Sequence, residues 1–150
     1  MTSKAVVEEF LAQRTLAVVG ASRDGKKFGN KVYKDLIRKG YEVYPVNPNA
    51  DVVEGNLCYP DLSALPEAMD GVVFVVPPAQ TEKVVREVAE LGIPRVWMQQ
   101  GSGSEDAIRF CEENGISVVS GECILMFAEP AEFYHRMHRW AWGVLGKLPD

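Results

Sequence analysis

Short unbroken apolar runs alternate along this chain with segments whose apolar residues recur every three or four positions. The run Thr15-Leu16-Ala17-Val18-Val19 ends at Gly20 and reads as a strand buried on both faces. After a glycine-containing loop, Val32, Tyr33, Leu36 and Ile37 fall on one face of a helix. Tyr41 to Val46 follows as a second strand, stopped by Asn47-Pro48-Asn49. Val72 to Val76 is the strongest strand signal, and it runs into Pro77-Pro78, which cannot donate to a ladder. Val84, Val85, Val88 and Leu91 then predict a helix, and Arg95 to Gln99 a strand. Ala107, Ile108 and Cys111 mark a further helix, with Ser102 or Ser104 as its N-cap, and Ile116 to Val119 is the last clear strand.

Helices end at a glycine directly before the residue that opens a strand, at Gly40-Tyr41, Gly92-Ile93 and Gly115-Ile116, where glycine can close a helix in the left-handed conformation. This alternation predicts an α/β domain with a doubly wound, mainly parallel sheet and helices on both faces. At the ends, Val6, Val7, Phe10 and Leu11 predict a helix over about 4–14, and Phe133, Met137, Trp140 and Val144 one over about 129–146. The stretch from Val52 to Leu65 is less regular; Val52-Val53 reads as a short strand and Leu62 to Leu65 as a half-turn before Pro66. No linker interrupts the pattern, so residues 1–150 read as one domain.

Composition narrows the class. A chain that is 47% hydrophobic and 25% charged has a core to bury and is not disordered. Glu8 and Glu9 break up the first apolar segment, which argues against a secretory signal, and no run approaches the roughly 20 apolar residues that cross a bilayer. Cys58, Cys111 and Cys123 are odd in number and far apart, as expected of reduced thiols in a cytoplasmic protein with no metal site. The net charge of −5 argues against nucleic acid as a partner. Yet the stretch from Gly20 to Gly40 carries Arg23, Lys26, Lys27, Lys31, Lys34, Arg38 and Lys39 against only Asp24 and Asp35. Lys31, Lys34, Arg38 and Lys39 read as a solvated helix face, whereas Arg23, Lys26 and Lys27 precede the helix, where an anion would sit.

In open parallel sheets, ligands bind beyond the carboxyl ends of the strands, where the strand order reverses. Here those ends are Gly20-Ala21-Ser22-Arg23, Val46-Asn47-Pro48, Val76-Pro77-Pro78 and Gln99-Gln100-Gly101, and none unites a nucleophile, a base and an orienting group. Binding is therefore expected before catalysis. A dinucleotide fingerprint needs a second glycine at Ser22 and an acidic residue where Asn47 stands, which disfavours NAD. Gly20 to Lys26 fits the spacing of a triphosphate-binding loop, but Lys27 replaces the hydroxyl residue that ligates Mg²⁺, and no strand ends in a suitable acid. A nucleotide diphosphate with an extra phosphate fits best. Backbone N–H groups after Gly20 and at the next helix start would hold the pyrophosphate. A helix end supplies only about 0.3–1 kcal/mol, so Arg23, Lys26 and Lys27 would add the charge that the 3′-phosphate of coenzyme A requires.

Four motifs in order carry a family resemblance: Val18-Val19-Gly20-Ala21-Ser22; Gly40-Tyr41, Val43-Tyr44-Pro45-Val46-Asn47-Pro48; Val75-Val76-Pro77-Pro78; and Val96-Trp97-Met98-Gln99-Gln100-Gly101. Over residues 10–127 the chain resembles the small stand-alone CoA-binding proteins related to the CoA-binding domain of the succinate–CoA ligase α subunit. The resemblance implies a Rossmann-type domain in which Gly20, Ala21, Ser22 and Arg23 hold phosphates. It also implies that Val46, Asn47, Pro48, Val76, Pro77 and Pro78 line the nucleotide cleft, and that Met98, Gln99 and Gln100 lie near the pantetheine arm. Two departures stand out. The ligase subunit has a lysine shortly after the second-strand proline, where this chain has Asn49, Ala50 and Asp51. The ligase also uses a phosphorylated histidine in a second domain, which is not expected here.

The expectation is a non-catalytic module that binds coenzyme A or acyl-CoA and serves acyl-CoA metabolism. The alternatives are the CoA-binding component of a split acyl-CoA synthetase, whose catalytic partner is another chain, and an NAD(H)-binding regulatory domain. Glu132-x-x-His135 has metal-ligand spacing without a second pair, so His135 and His138 read as a polar helix face. Trp140 and Trp142 cannot share one helix face, which leaves one for a second copy or another protein partner. Cys123 follows the last strand and reads as inert.

Overall fold

A parallel five-stranded sheet organises the molecule, in a computed structural model that describes residues 4–126. The expected C-terminal helix, with His135, His138, Trp140 and Trp142, lies outside the described residues. In chain order the elements are α1 (Lys4–Leu11), β1 (Thr15–Val19), α2 (Phe28–Arg38), β2 (Glu42–Val46), β3 (Val52–Val53), β4 (Asn56–Leu57), a 3₁₀ turn (Leu62–Ala64), β5 (Gly71–Phe74), α3 (Pro78–Leu91), β6 (Arg95–Met98), α4 (Glu105–Glu113), β7 (Ser117–Ser120) and a second 3₁₀ turn (Ile124–Met126). The main sheet has the order β2-β1-β5-β6-β7, and β3 and β4 form a small antiparallel ribbon beside it. This is the Rossmann-type α/β architecture.

Strand residues point alternately to opposite faces, and that alternation divides the core in two. Leu16, Val18, Val73, Trp97 and Val119 pack with α1 and α2, through Val7, Phe10, Val32, Tyr33 and Leu36. Ala17, Val19, Val72, Phe74, Val96 and Met98 pack with α3 and α4, through Val85, Val88, Ala107 and Cys111. Trp97 is fully buried, donates its indole N–H to the Glu122 carbonyl at 2.9 Å and meets Phe10 edge-on.

Several boundaries differ from the pattern. The first helix ends at Leu11, short of residue 14. Ile37 and Leu91 are 41% and 46% exposed, because only a narrow stripe of each helix meets the sheet. The β5 strand ends at Phe74; the Val75 N–H still reaches the Val19 carbonyl at 2.8 Å, but the Val76 N–H turns to the Ser102 hydroxyl at 3.2 Å. Ser102 is therefore buried beneath that loop, and Ser104 caps α4 by accepting the Ala107 N–H at 3.1 Å. Gly92 ends α3 in the left-handed region with φ +72°, as its position before a strand predicted.

Candidate functional site

The chain leaves β1 towards β2 on one side and later returns to β5 on the other, so the strand order reverses beside β1. The loops after β1 and β5 diverge there and leave a cleft at the carboxyl edge of the sheet. Its geometry starts from two backbone contacts. Gly20 has φ +130°, and a β-carbon on it would fall 2.3 Å from the Val75 carbonyl oxygen. A β-carbon on Gly29 would fall 2.3 Å from the Gly20 carbonyl oxygen. Only glycine allows the end of β5, the end of β1 and the first turn of α2 to touch in this way.

Asn30 then shapes the loop between β1 and α2. Its buried side chain accepts the Ser22 N–H at 2.8 Å and donates to the Ser22 carbonyl at 2.7 Å. The same amide donates to the Glu54 carboxylate at 2.9 Å, which ties the loop to the β3–β4 ribbon. Asp24 accepts the Lys26 N–H at 2.9 Å and the Ser22 hydroxyl at 2.7 Å. The Lys26 N–H, and then the Ser22 hydroxyl, hold the exposed Asp24 carboxyl below its ordinary value.

Asn47 fastens the neighbouring loop. It donates to the Ala21 carbonyl at 2.9 Å and accepts the Asn49 N–H at 2.8 Å. A carboxylate could not make the first of these bonds, so the residue that replaces the acid of an NAD site has its own structural role.

The resulting cleft has a volume of about 530 Å³. Val19, Val46, Val75, Val76 and Val84 give it apolar surface, and Ser22, Asn47, Asn49 and Gln80 supply polar groups. Lys27 and Lys83 also line it, and among the described residues no carboxylate does. The two helices that begin at its loops, α2 and α3, have no side-chain cap and no acidic residue in their first turns. By contrast α4 is capped by Ser104 and starts with Glu105 and Asp106. The cleft thus presents uncapped helix starts and two ammonium groups over apolar walls, which suits an anion attached to an apolar ring. A second hollow of about 590 Å³ runs along α2, past Lys26, Lys31, Lys34 and Arg38, and shares Lys27 with the cleft.

Of the residues singled out in the sequence, Gly20, Ser22, Val46, Asn47, Pro48, Val76 and Pro77 border the cleft. Ala21 is buried beneath the loop and Pro78 opens α3. Arg23 and Lys26 are exposed and do not line the cleft, whereas their neighbour Lys27 does. Met98 is fully buried in the core. Gln99 is buried and accepts the Ile124 N–H at 2.7 Å, so its side chain fastens the turn after β7. Gln100 is exposed just past β6, and none of these three lines the cleft.

Sequence reasoning missed Asn30, Glu54, Gln80 and Lys83. Asn30 left one trace, a polar residue among the inward positions of α2; Lys83 looked like any surface lysine. Cys58 and Cys111 are buried, and burial pushes the Cys111 thiol up to about 12. Among the described residues no three metal-ligating side chains cluster, and no helix is long and apolar enough to cross a membrane.

Fold and strand order together define a Rossmann-like α/β domain with a cleft at the carboxyl edge of its sheet. Residues 14–129 match the family described as CoA binding domain, and the chain belongs to that family. It is 32% identical over 123 residues to the uncharacterized protein YneT of Bacillus subtilis, covering 81% of this chain and 91% of that one. It is 28% identical over 130 residues to the α subunit of acetate–CoA ligase [ADP-forming] II from Pyrococcus furiosus, covering 79% of this chain and 28% of the subunit. The chain thus spans under a third of the length of that ligase subunit. Among solved structures, a conserved hypothetical protein from Pyrococcus furiosus superposes with a TM-score of 0.72 at 45% identity, covering 76% of this chain and 98% of that one.

Proposed function

We propose that the protein binds coenzyme A or acyl-CoA in the cleft between the β1, β2 and β5 loops, as a cytoplasmic, non-catalytic module of residues 1–150. The observation that carries this reading is the cleft lining among the described residues: two lysines, no carboxylate and two uncapped helix starts, in a chain whose net charge is −5. In this reading the adenine lies against the valine surface. The pyrophosphate meets the Gly20–Ser22 backbone, Lys27 and the start of α2. Arg23 and Lys26 add to the positive field from the outer side of the loop. The pantetheine arm leaves towards Gln100 at the end of β6. Ser22, Asn47 and Pro48 hold the nucleotide on one side, and Val76, Pro77 and Pro78 on the other. No metal takes part.

Similarity to an acetate–CoA ligase α subunit favours a second reading, in which the module serves a catalytic partner carried on another chain. Thermal melts with coenzyme A, acetyl-CoA and NAD test the first. A ligand at 100 times its Kd adds about 2.7 kcal/mol, which for a chain of this size raises Tm by roughly 5–10 °C. We expect that rise with coenzyme A. A rise with NAD alone would overturn the assignment.

A further inference from the structure

We propose that Lys83 recognises a second phosphate of the bound nucleotide, so that this residue makes the cleft select a 3′-phosphorylated ADP group over a plain nucleotide diphosphate. The inference rests on the coenzyme A reading and names the discriminating residue within it.

The two lysines of the cleft come from different walls. Lys27 is the N-cap residue of α2, while Lys83 stands in the second turn of α3, on the opposite face of the sheet. Lys27 adjoins the backbone of the β1 loop and also feels the nearby Asp24 charge. It is thus placed for the pyrophosphate. A phosphate on the ribose 3′ oxygen branches away from the pyrophosphate chain, where a cation on another wall can meet it.

Lys83 has its charge to spare. Among the described residues it enters no ion pair, although Glu82 and Glu87 stand one and four residues from it on α3. Glu82 accepts the Ser104 hydroxyl at 2.6 Å, and Glu87 accepts the backbone N–H groups of Leu62 and Ser63 at 3.2 and 3.4 Å. Both carboxylates are thereby drawn to neighbouring elements, and neither lines the cleft. Arg23 and Lys26, the cations that the sequence suggests for this role, do not line it either.

Isothermal titrations of the wild type, Lys83→Ala, Lys83→Arg and Lys31→Ala with coenzyme A and with 3′-dephospho-coenzyme A test the assignment. The wild type should prefer coenzyme A. Lys83→Ala should weaken coenzyme A about tenfold, equivalent to about 1.4 kcal/mol, and leave the dephospho form unchanged. Lys83→Arg should keep the preference. Lys31→Ala removes the same charge from the outer face of α2 and should keep both affinities. The wild-type preference should shrink as salt is raised, because both groups are partly solvated. Equal weakening of both ligands by Lys83→Ala, or no weakening of either, overturns the role of Lys83 and leaves the coenzyme A reading standing. A wild type that binds neither ligand overturns both.

Discussion

Replacing Gly29 by alanine sets two effects of opposite sign against each other. Alanine is favoured over glycine within a helix by up to about 1 kcal/mol, and Gly29 lies in the first turn of α2. Propensity alone therefore predicts a more stable protein. The tertiary contacts predict the reverse. A β-carbon at this position would lie 2.3 Å from the Gly20 oxygen, 2.5 Å from the Gly20 carbonyl carbon and 2.9 Å from the Ala21 nitrogen. Non-bonded heavy atoms need about 3.5–4.0 Å, so one of the two segments must retreat by more than about 1 Å. The obstructing atoms are backbone, and Gly20 is itself pressed against the Val75 carbonyl. Overpacking of this kind costs about 1–3 kcal/mol. A displaced loop also strains the two bonds between Asn30 and the Ser22 backbone, at about 1 kcal/mol each. After the helix gain is set against these, a net loss of about 2–4 kcal/mol remains. At about 2–4 °C per kcal/mol, Tm should fall by roughly 5–15 °C. Gly115→Ala is the control: its φ is +72° but nothing lies within 4 Å of the added carbon, so only about 1–2 kcal/mol of left-handed strain is expected, with ligand binding kept. Thermal and urea melts of both variants decide the matter. A Gly29→Ala protein that melts at or above the wild type would refute the argument.

Two further outcomes follow from the same loop. Asn30→Ala strands the Ser22 backbone groups and removes the donor facing Glu54, which should cost about 1–3 kcal/mol in urea melts; a loss within experimental error would show that water replaces the amide. Asp24 is held below its ordinary 3.8 by the Lys26 N–H, the Ser22 hydroxyl and the nearby lysines, so its bonds are fully present above that value and are lost as pH falls through the depressed one. The Lys26 amide resonance should report a midpoint below 3.8 that vanishes in Asp24→Asn, and a midpoint at or above 3.8 would contradict the hydrogen bonds described.

Much of this architecture is legible in the residue pattern because strands buried on both faces leave unbroken apolar runs. Thr15–Val19 and Val72 to Val76 declare themselves in this way, although β5 ends at Phe74, three residues before the Pro77-Pro78 that the pattern took as its stop. The glycine at 29 could be counted as part of a spacing, yet its purpose is visible only once α2 is seen resting on the Gly20 carbonyl. The cations were harder. Arg23, Lys26 and Lys27 are neighbours in sequence, but loop curvature brings only Lys27 to the cleft, while Lys83 arrives from a helix more than 50 residues later in the chain. Met98 and Gln99 were legible as the end of a strand. Whether a strand-end side chain faces a ligand or the core depends on alternation and on what the next turn requires, and here Gln99 is used to seat Ile124. Asn47 shows the same limit, because its identity suggested what does not bind, and its bond to Ala21 shows what it does instead.

The reversal of strand order beside β1 has a mechanical consequence. The strand is a shared seam: β2 hangs from one edge and β5, β6 and β7 from the other. Each flank is a contiguous stretch of chain, and in the sheet the two are joined through β1. A molecule lodged between Ser22, Asn47, Val76 and Lys83 touches both flanks at once, and so acts as a removable rivet across the seam. Its grip restrains the relative opening of two segments that the backbone joins only through a long connection.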